Sequence, residues 1–252
     1  MAKSSPQTNY FMKALTLNKY YEKLLIIAMV LSLIFIYIGE NKLLILLSIL
    51  SIVGFIALEH VISNYQAKAE TIRRKDFIDN AFGTKLLNEN SEGYYDNEEI
   101  EKGLYKALLN LFENSLFSKE ISEKMLEQKL KKSIIPALIL MISAVYGFLG
   151  NQLMIPILQL FLSKEFLCKN IKLNNYNKKV ENIYNNIATL CDTAKLNSKN
   201  ILKYEPHILN IWIEYEANIS NSKLFLDGKI YNELNPSLTK KWEKIKTDYK
   251  FN

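Results

Sequence analysis

Residues 24–62 decide the fold of this chain, because they read LLIIAMVLSLIFIYIG, then a polar ENK break, then LLILLSILSIVGFIALEHVI. A helix that crosses the hydrocarbon core of a bilayer needs roughly 20 apolar residues, with about 17 as the lower limit. Residues 43–62 meet this length, and residues 24–39 meet it when Tyr20 and Tyr21 serve as interfacial anchors. The stretch therefore predicts a membrane-spanning helical hairpin.

Residues 133–167 repeat this pattern as SIIPALILMISAVYGFL, a GNQ break and LMIPILQLFLSKEFL. The fourth apolar run is short, because Lys164 and Glu165 interrupt it. The alternative is a pair of buried hairpins in a soluble bundle, but runs without a polar face would need an unusually large core. The sequence thus predicts an all-α fold, a four-span membrane helix bundle of two helical hairpins with a cytosolic helical linker and a C-terminal helical tail.

The positive charges predict the orientation of the four spans. Lysine and arginine residues precede and follow each hairpin along the chain, whereas the two short breaks between spans hold one cation, Lys42. Short loops rich in lysine and arginine stay in the cytoplasm, so both termini and the central segment should be cytosolic. The resulting segments are 1–23 (cytosolic), 24–62 (first hairpin), 63–132 (cytosolic linker), 133–167 (second hairpin) and 168–252 (cytosolic tail). The net charge of +6 also favours attraction to anionic headgroups or to a polyanion.

The linker is predicted to be mostly helical. Residues 63–80 should continue the second span as a helix, and residues 83–97 should form a loop because of their Gly, Asn, Ser and Asp content. Asn97 is a candidate cap for the next helix. Ser118 is expected to open a further helix that runs into the third span.

The tail is also predicted to be helical. Val180, Ile183, Ile187 and Leu190 are among the apolar residues that recur at helical spacing in its first stretch. Pro206 suits the first turn of a second helix over residues 208–226, which Asp227 and Gly228 end. The sequence Asn235-Pro236-Ser237 should break the chain before a short basic helix at 238–250.

Catalytic and cofactor chemistry is not indicated. The chain has no P-loop, nucleophile elbow, HExxH motif or glycine-rich dinucleotide turn, so we expect no enzyme, no cofactor and no metal site. Cys168 and Cys191 fall on the predicted cytosolic side, where thiols stay reduced. The adjacent Glu59 and His60 could relay protons or bind a metal ion, or they could hydrogen-bond neighbours at the membrane edge.

Polar residues within the spans are candidates for the lining or gate of a pore. Serine in a membrane helix usually bonds back to its own backbone, but the same residues could line an aqueous path. Four short spans enclose little space, so a conduit would need several copies of the chain. The candidates are Ser48, Ser51, Glu59, His60, Ser143 and Gln159.

The overall plan resembles the small bacterial four-span effectors of nucleotide-controlled anti-phage defence, the S-4TM group and the comparable effector of Hailong-type systems. The order of hairpin, cytosolic linker, hairpin and helical tail matches over nearly the whole chain. The local stretches that carry the resemblance are 72–84 (IRRKDFIDNAFGT), 91–97 (SEGYYDN), 111–121 (LFENSLFSKEI), 214–218 (EYEAN) and 242–245 (WEKI).

This resemblance implies a dormant homo-oligomer of the bacterial inner membrane, with a tetramer as the favoured state. Its cytosolic part would sense a nucleotide or a short single-stranded nucleic acid made by a partner nucleotidyltransferase, and its opening would depolarise the membrane and stop growth. Arg73, Arg74 and Lys75 can meet phosphates, and Tyr94 and Tyr95 can stack on bases. The basic triplet could instead be a topology anchor, and the tyrosines could pack on the next helix.

Three functions remain open from the sequence. The first is a non-enzymatic pore or ion channel embedded in the lipid bilayer. The second is a membrane-anchored scaffold whose tail recruits a cytosolic partner. The third is a small proton-coupled transporter that uses Glu59 and His60. Ion flux, partner recruitment and proton-coupled uptake would distinguish them.

Overall fold

The computed structural model describes residues 5–39, 41–89, 91, 95, 97–145 and 169–251, with only the backbone described at 29, 32, 33, 35–37, 132–137 and 139–145. This part of the chain is helical and contains no strand, so the predicted all-α class is confirmed. The helices are α1 (Thr8–Ile38), α2 (Lys42–Phe82), α3 (Leu104–Val145), α4 (Lys169–Ala194), the 3-10 turn η1 (Ile201–Tyr204), α5 (Glu205–Ser222) and α6 (Gly228–Tyr249).

The chain divides into two compact units. The apolar unit consists of the described residues of Asn9–Ala69 and Gln128–Ile171. The polar unit consists of the described residues of Met1–Thr8, Glu70–Glu127 and Lys172–Asn252. Helix α2 contributes residues to both units, since it runs from Lys42 to Phe82.

In the apolar unit, α1 and α2 form an antiparallel pair. The rings of Tyr21 and Phe55 lie 5.2 Å apart in an edge-on arrangement. The rings of Tyr10 and Tyr65 lie 6.4 Å apart. Residues earlier in α1 therefore contact residues later in α2, so the two helices run antiparallel.

Two glycines allow this hairpin to form. A Cβ atom at Gly54 would lie 3.1 Å from Cδ2 of Leu24, so the missing side chain lets the two helices approach closely. Gly39 ends α1 with a φ of +78°, a left-handed conformation that residues other than glycine rarely adopt.

Helix α2 is the described helix that is long and apolar enough to cross a membrane. Only 11% of its most apolar 18-residue window is buried, unlike the core helix of a soluble protein. Most of the predicted second hairpin, residues 146–168, lies outside the described residues.

In the polar unit, α3 is the central helix. Every residue from 105 to 113 is buried, and a helix buried on all sides must have neighbours on all sides. The ring of Phe112 lies 5.1 Å from Tyr184 of α4 and 5.6 Å from Trp242 of α6. Ser118 of α3 hydrogen-bonds Tyr215 of α5. The core of this unit therefore surrounds α3, which contacts α4, α5 and α6.

Helix α4 packs through a single apolar seam. Its buried residues alternate at spacings of three and four, which brings them onto one side of the helix. They are Leu173, Tyr176, Val180, Ile183, Ile187 and Leu190, and Cys191 is buried next to the last of them. The amphipathic helix predicted for this part of the tail is confirmed.

Two predicted helix starts in the linker are wrong. Helix α3 begins at Leu104 rather than after Asn97, because the Asn97 side chain is fully buried and hydrogen-bonds Asn110 and Glu113 instead of capping a helix. Ser118 does not open a new helix, since α3 continues through it to Val145.

The tail follows its prediction as far as Pro206, which lies in the first turn of α5. Helix α5 ends at Ser222, earlier than predicted. The predicted break at Pro236 is wrong, because α6 runs from Gly228 to Tyr249 through this residue. A proline inside a helix costs about 3 kcal/mol, and the buried contacts of α6, at Leu238 and Trp242 among others, offset this cost.

Candidate functional site

The basic triplet predicted to bind phosphate begins with Arg73, which is engaged within the protein. Its guanidinium donates two hydrogen bonds to the Glu216 carboxylate of α5, at 3.2 Å and 2.5 Å. The two side chains are only 14% and 17% exposed. Burial disfavours the charged guanidinium, but the charge and hydrogen bonds of Glu216 outweigh it and hold the pKa of Arg73 above its usual value. Arg73 therefore joins α2 to α5.

A second carboxylate, Glu70, lies one turn earlier on α2 and is also buried. Burial raises the pKa of Glu70, while the charges of Arg73 and Arg74 partly oppose this rise. Glu216 raises it further by like-charge repulsion. The positive charge of the buried Arg73 guanidinium thus acts on two carboxylates, Glu70 and Glu216. The Nε of Arg73 has no hydrogen-bond partner among the described residues.

Buried hydroxyl groups lie close to this charge cluster. The Tyr215 hydroxyl and Oγ of Ser118 are 3.2 Å apart. Burial raises the pKa of both Tyr215 and Tyr176, so these phenols stay neutral. The Asn218 side chain donates to the backbone carbonyl of Tyr176. These contacts bind α3, α4 and α5 together around Arg73.

The other two residues of the basic triplet are more accessible. Arg74 is half-buried, and its guanidinium donates a long 3.5 Å hydrogen bond to the Thr71 hydroxyl on the same helix. Lys75 is exposed. Neither forms an ion pair with another described residue, so both can meet an anion in solvent, whereas Arg73 is already paired with Glu216.

The two tyrosines predicted to stack on bases are not equivalent. Tyr95 is only 4% exposed, and its ring packs edge-on against Phe77 at 6.1 Å. The interior position of Tyr95 corrects the prediction that its ring is offered to a ligand. Tyr94 lies outside the described residues.

The loop after α2 is tied back to that helix by two buried aspartates. Oδ1 of Asp79 accepts hydrogen bonds from the Thr84 hydroxyl and the Leu86 backbone N–H, and Oδ2 accepts from the Leu87 N–H. Asp76 accepts from both the backbone N–H and the hydroxyl of Ser91. The described part of this loop, from Thr84 to Ser91, is therefore held by carboxylates of α2.

These hydrogen bonds set the charge state of Asp79. Desolvation raises its pKa, but the bonds from Leu86, Thr84 and Leu87 together outweigh burial, so the pKa of Asp79 lies below its usual value. A depressed pKa means that Asp79 contributes stability above its unfolded-state pKa of about 3.9, and that this stability is lost as the pH falls through the folded value.

Replacing Asp79 by Asn is expected to destabilise the full chain by about 1–3 kcal/mol at pH 7. The side-chain amide of Asn has one acceptor oxygen, so its NH2 group cannot accept the hydrogen bond that the second carboxylate oxygen accepts. The loss should shrink as the pH is lowered below about 4, since the wild-type carboxylate then becomes protonated. Urea unfolding of both proteins from pH 7 to pH 3, followed by tryptophan fluorescence, checks this. The exposed Asp248→Asn is the matched control and should change little. An equal loss at all pH values would contradict the assigned role of the charge.

A second network joins this loop to α3 and α6. The Asn97 side-chain amide donates to Oδ1 of Asn110 at 3.0 Å and to Glu113 at 2.9 Å. Its carbonyl accepts from the indole N–H of Trp242 at 3.2 Å. Asn110 in turn donates to Asn80 at 2.8 Å. Because Asn97, Asn110 and Glu113 are all buried, this network fixes one arrangement of the loop.

The predicted pore residues in the described chain have local partners. The hydroxyls of Ser48 and Ser51 donate to the carbonyls of Leu44 and Leu47, one turn earlier on α2. This is the backbone bonding that serine usually makes in a membrane helix. The Ser143 side chain and Gln159 lie outside the described residues.

Glu59 and His60 are both exposed on α2. Nε2 of His60 lies 3.1 Å from the Asn64 side chain, one turn away. In the described part of the chain, no group of three or more His, Cys, Asp and Glu side chains could hold a metal ion.

Sequence reasoning missed the internal partners of these residues. Asp76 and Asp79 lie within the stretch that carries the resemblance, and their spacing of three residues places them on one face of α2. Glu216 is 143 residues from Arg73, so no local pattern could have revealed the pair. No protein-family model, curated protein or solved structure matches the chain.

Proposed function

We propose that this chain is a four-span, multi-pass protein of the bacterial inner membrane with both termini in the cytosol, and that several copies form a gated ion pore. The observation that carries the proposal is the exposed apolar surface of the α1–α2 hairpin. Large apolar side chains are exposed along both helices, including Ile38 (65%), Leu43 (62%) and Ile56 (66%). Soluble proteins rarely expose a continuous apolar surface of this extent, and lipid is its natural solvent.

The charge pattern of α2 supports the same proposal. No charged residue occurs between Lys42 and Glu59, whereas charges are frequent from Lys68 onward. Because α2 supplies residues to both units, a ligand that prefers one arrangement of its polar end can bias the helix as a whole. The two loop-anchoring aspartates and Arg73 all lie on this polar end.

The ligand in this proposal is a nucleotide or a short single-stranded nucleic acid made by a partner nucleotidyltransferase. Arg74 and Lys75 are the phosphate contacts, since Arg73 is held by Glu216. Opening would depolarise the membrane and arrest growth, as the resemblance to anti-phage effectors implies. Four short spans from one copy can enclose little space, so conduction requires a homo-oligomer, for which we favour a tetramer.

The test is ion flux from liposomes that contain the purified full-length chain. We expect ligand-dependent flux of a small ion such as K⁺ and loss of membrane potential on expression in cells. A chain that inserts and oligomerises but conducts nothing with any nucleotide or oligonucleotide tried would favour the membrane-anchored scaffold.

Replacing both Arg74 and Lys75 by Gln is expected to weaken nucleotide or oligonucleotide binding by at least tenfold, because each charge-assisted contact contributes about 1.5–3 kcal/mol. Toxicity on expression should change in parallel, while membrane insertion stays intact. Binding to the detergent-solubilised chain and survival assays measure the two effects.

The matched control replaces Lys178 and Lys179 by Gln, which removes the same charge from the exposed face of α4. If both double variants lower binding equally, the effect is one of net charge, and the specific role of Arg74 and Lys75 is refuted.

A further inference from the structure

Helix α5 carries apolar side chains on its outer face as well as its inner one. Ile208 and Ile211 are buried against the core of the polar unit. On the other side, Leu209 is 37% exposed and Ile213 is 67% exposed. Leu202, in the 3-10 turn immediately before α5, is 69% exposed. A helix on the surface of a soluble unit normally places polar residues on this outer side.

These outer residues form one stripe along the helix. Pro206, Leu209, Ile213 and Ala217 follow each other at spacings of three and four, which places them on one side, and all four are exposed. We call them, together with Leu202 at the leading end, the α5 stripe. A row of this kind has the spacing of a helix-pairing seam rather than of scattered surface residues.

The charges beside the stripe identify what can cover it. Lys203 lies near its first end and Glu214 near its other end, about three helical turns later, and both are exposed. Glu214 lies in α5 itself, and Lys203 lies in the 3-10 turn that directly precedes it. A second α5 in antiparallel orientation would bring Lys203 of each copy to Glu214 of the other.

We propose that the α5 stripe is a contact surface between two copies of this chain, packed antiparallel about a twofold axis near Leu209. The proposal rests on the homo-oligomer of the proposed function and locates one of its contacts. In an isologous contact each surface is its own partner, so a self-complementary stripe with opposite charges at its ends is sufficient. Such pairing implies an even number of copies, which agrees with a tetramer.

Charge reversal tests the pairing directly. In the full-length chain in detergent, Lys203→Glu and Glu214→Lys should each weaken self-association about tenfold, because each change creates two like-charge contacts across the axis. The double variant Lys203→Glu/Glu214→Lys should restore it. Concentration-dependent mass measurements at low salt give the readout, and high salt should reduce all the differences.

Cross-linking provides a second measurement that needs no charge change. With Cys168 replaced by Ser, Leu209→Cys should form a disulfide-linked dimer under mild oxidation, because a residue near a twofold axis meets its own copy. Asn186→Cys, on the exposed face of α4, is the control and should not. The native Cys191 can remain, since it is buried and burial raises its pKa to about 12.

The outcomes separate this inference from the pore. An oligomer that shows neither cross-linking at residue 209 nor sensitivity to charge reversal overturns the α5 contact but leaves the pore intact. A cross-linked, charge-sensitive pair that conducts no ions supports the contact and overturns the pore. A chain that stays monomeric at every concentration overturns both the α5 contact and the pore, since conduction requires several copies.

Discussion

Replacing Arg73 by Gln is expected to destabilise the protein by about 3–5 kcal/mol, because it leaves Glu216 buried without its partner. The loss is increased by Glu70, whose carboxyl also lies in the field of Arg73. Urea unfolding of the full chain measures it, with fluorescence from Trp212 and Trp242, which both lie in the polar unit.

Matched variants separate the ion pair from the loss of one positive charge. Arg74→Gln removes the same charge from the next residue and should change stability by no more than about 0.5 kcal/mol. Glu216→Gln should cost about as much as Arg73→Gln, and the double variant should cost clearly less than the sum of the two. Additive losses would show that the pair contributes nothing as a pair.

The expected loss of stability on replacing Arg73 decides which residues can be used to test a ligand site. The sequence treats Arg73, Arg74 and Lys75 as one basic triplet, and replacing the first two together is the obvious experiment. Such a variant would lose ligand binding through partial unfolding whether or not a phosphate contacts either residue. Arg74 with Lys75 is therefore the informative pair.

The contrast shows which part of the site a sequence can predict. The helix that carries the triplet was predictable, because α2 follows from a long apolar run and the amphipathic stretch after it. The sequence does not predict that Arg73 is paired inside the protein while Arg74 is accessible, because this difference depends on Glu216 in another helix. The stretch 214–218 carries part of the resemblance, but its local sequence does not indicate that Glu216 pairs with Arg73.

Local sequence preferences also predict the wrong structure at two other positions in the polar unit. Asn97 has the composition of a helix cap and Pro236 that of a helix break. In the fold, Asn97 hydrogen-bonds the distant Trp242, and Pro236 lies inside α6 between the buried Ile230 and Trp242. Contacts made on folding therefore override the local preference of both residues, and the contacts of Trp242 are the ones whose removal tests this explanation.

Replacing Trp242 by Ala is expected to cost about 3–5 kcal/mol, because the side chain is completely buried and its removal leaves a large cavity. The indole ring packs against Phe112 at 5.6 Å and Phe251 at 6.5 Å. Its N–H also supplies the hydrogen bond that holds Asn97. Urea unfolding followed through Trp212, which remains as the fluorescent probe, measures the loss.

Trp242→Phe separates packing from hydrogen bonding. Phenylalanine keeps most of the aromatic contact but leaves Oδ1 of Asn97 without the indole donor, so we expect a smaller loss of about 1–3 kcal/mol. Because Asn97 also anchors the loop that follows α2, this variant should increase amide hydrogen exchange at the loop residues near 97 more than at the buried centre of α3. If Trp242→Phe proves as stable as wild type and the loop stays protected, the indole hydrogen bond does not hold the loop, and the network around Asn97 is sustained by Asn110 and Glu113 alone.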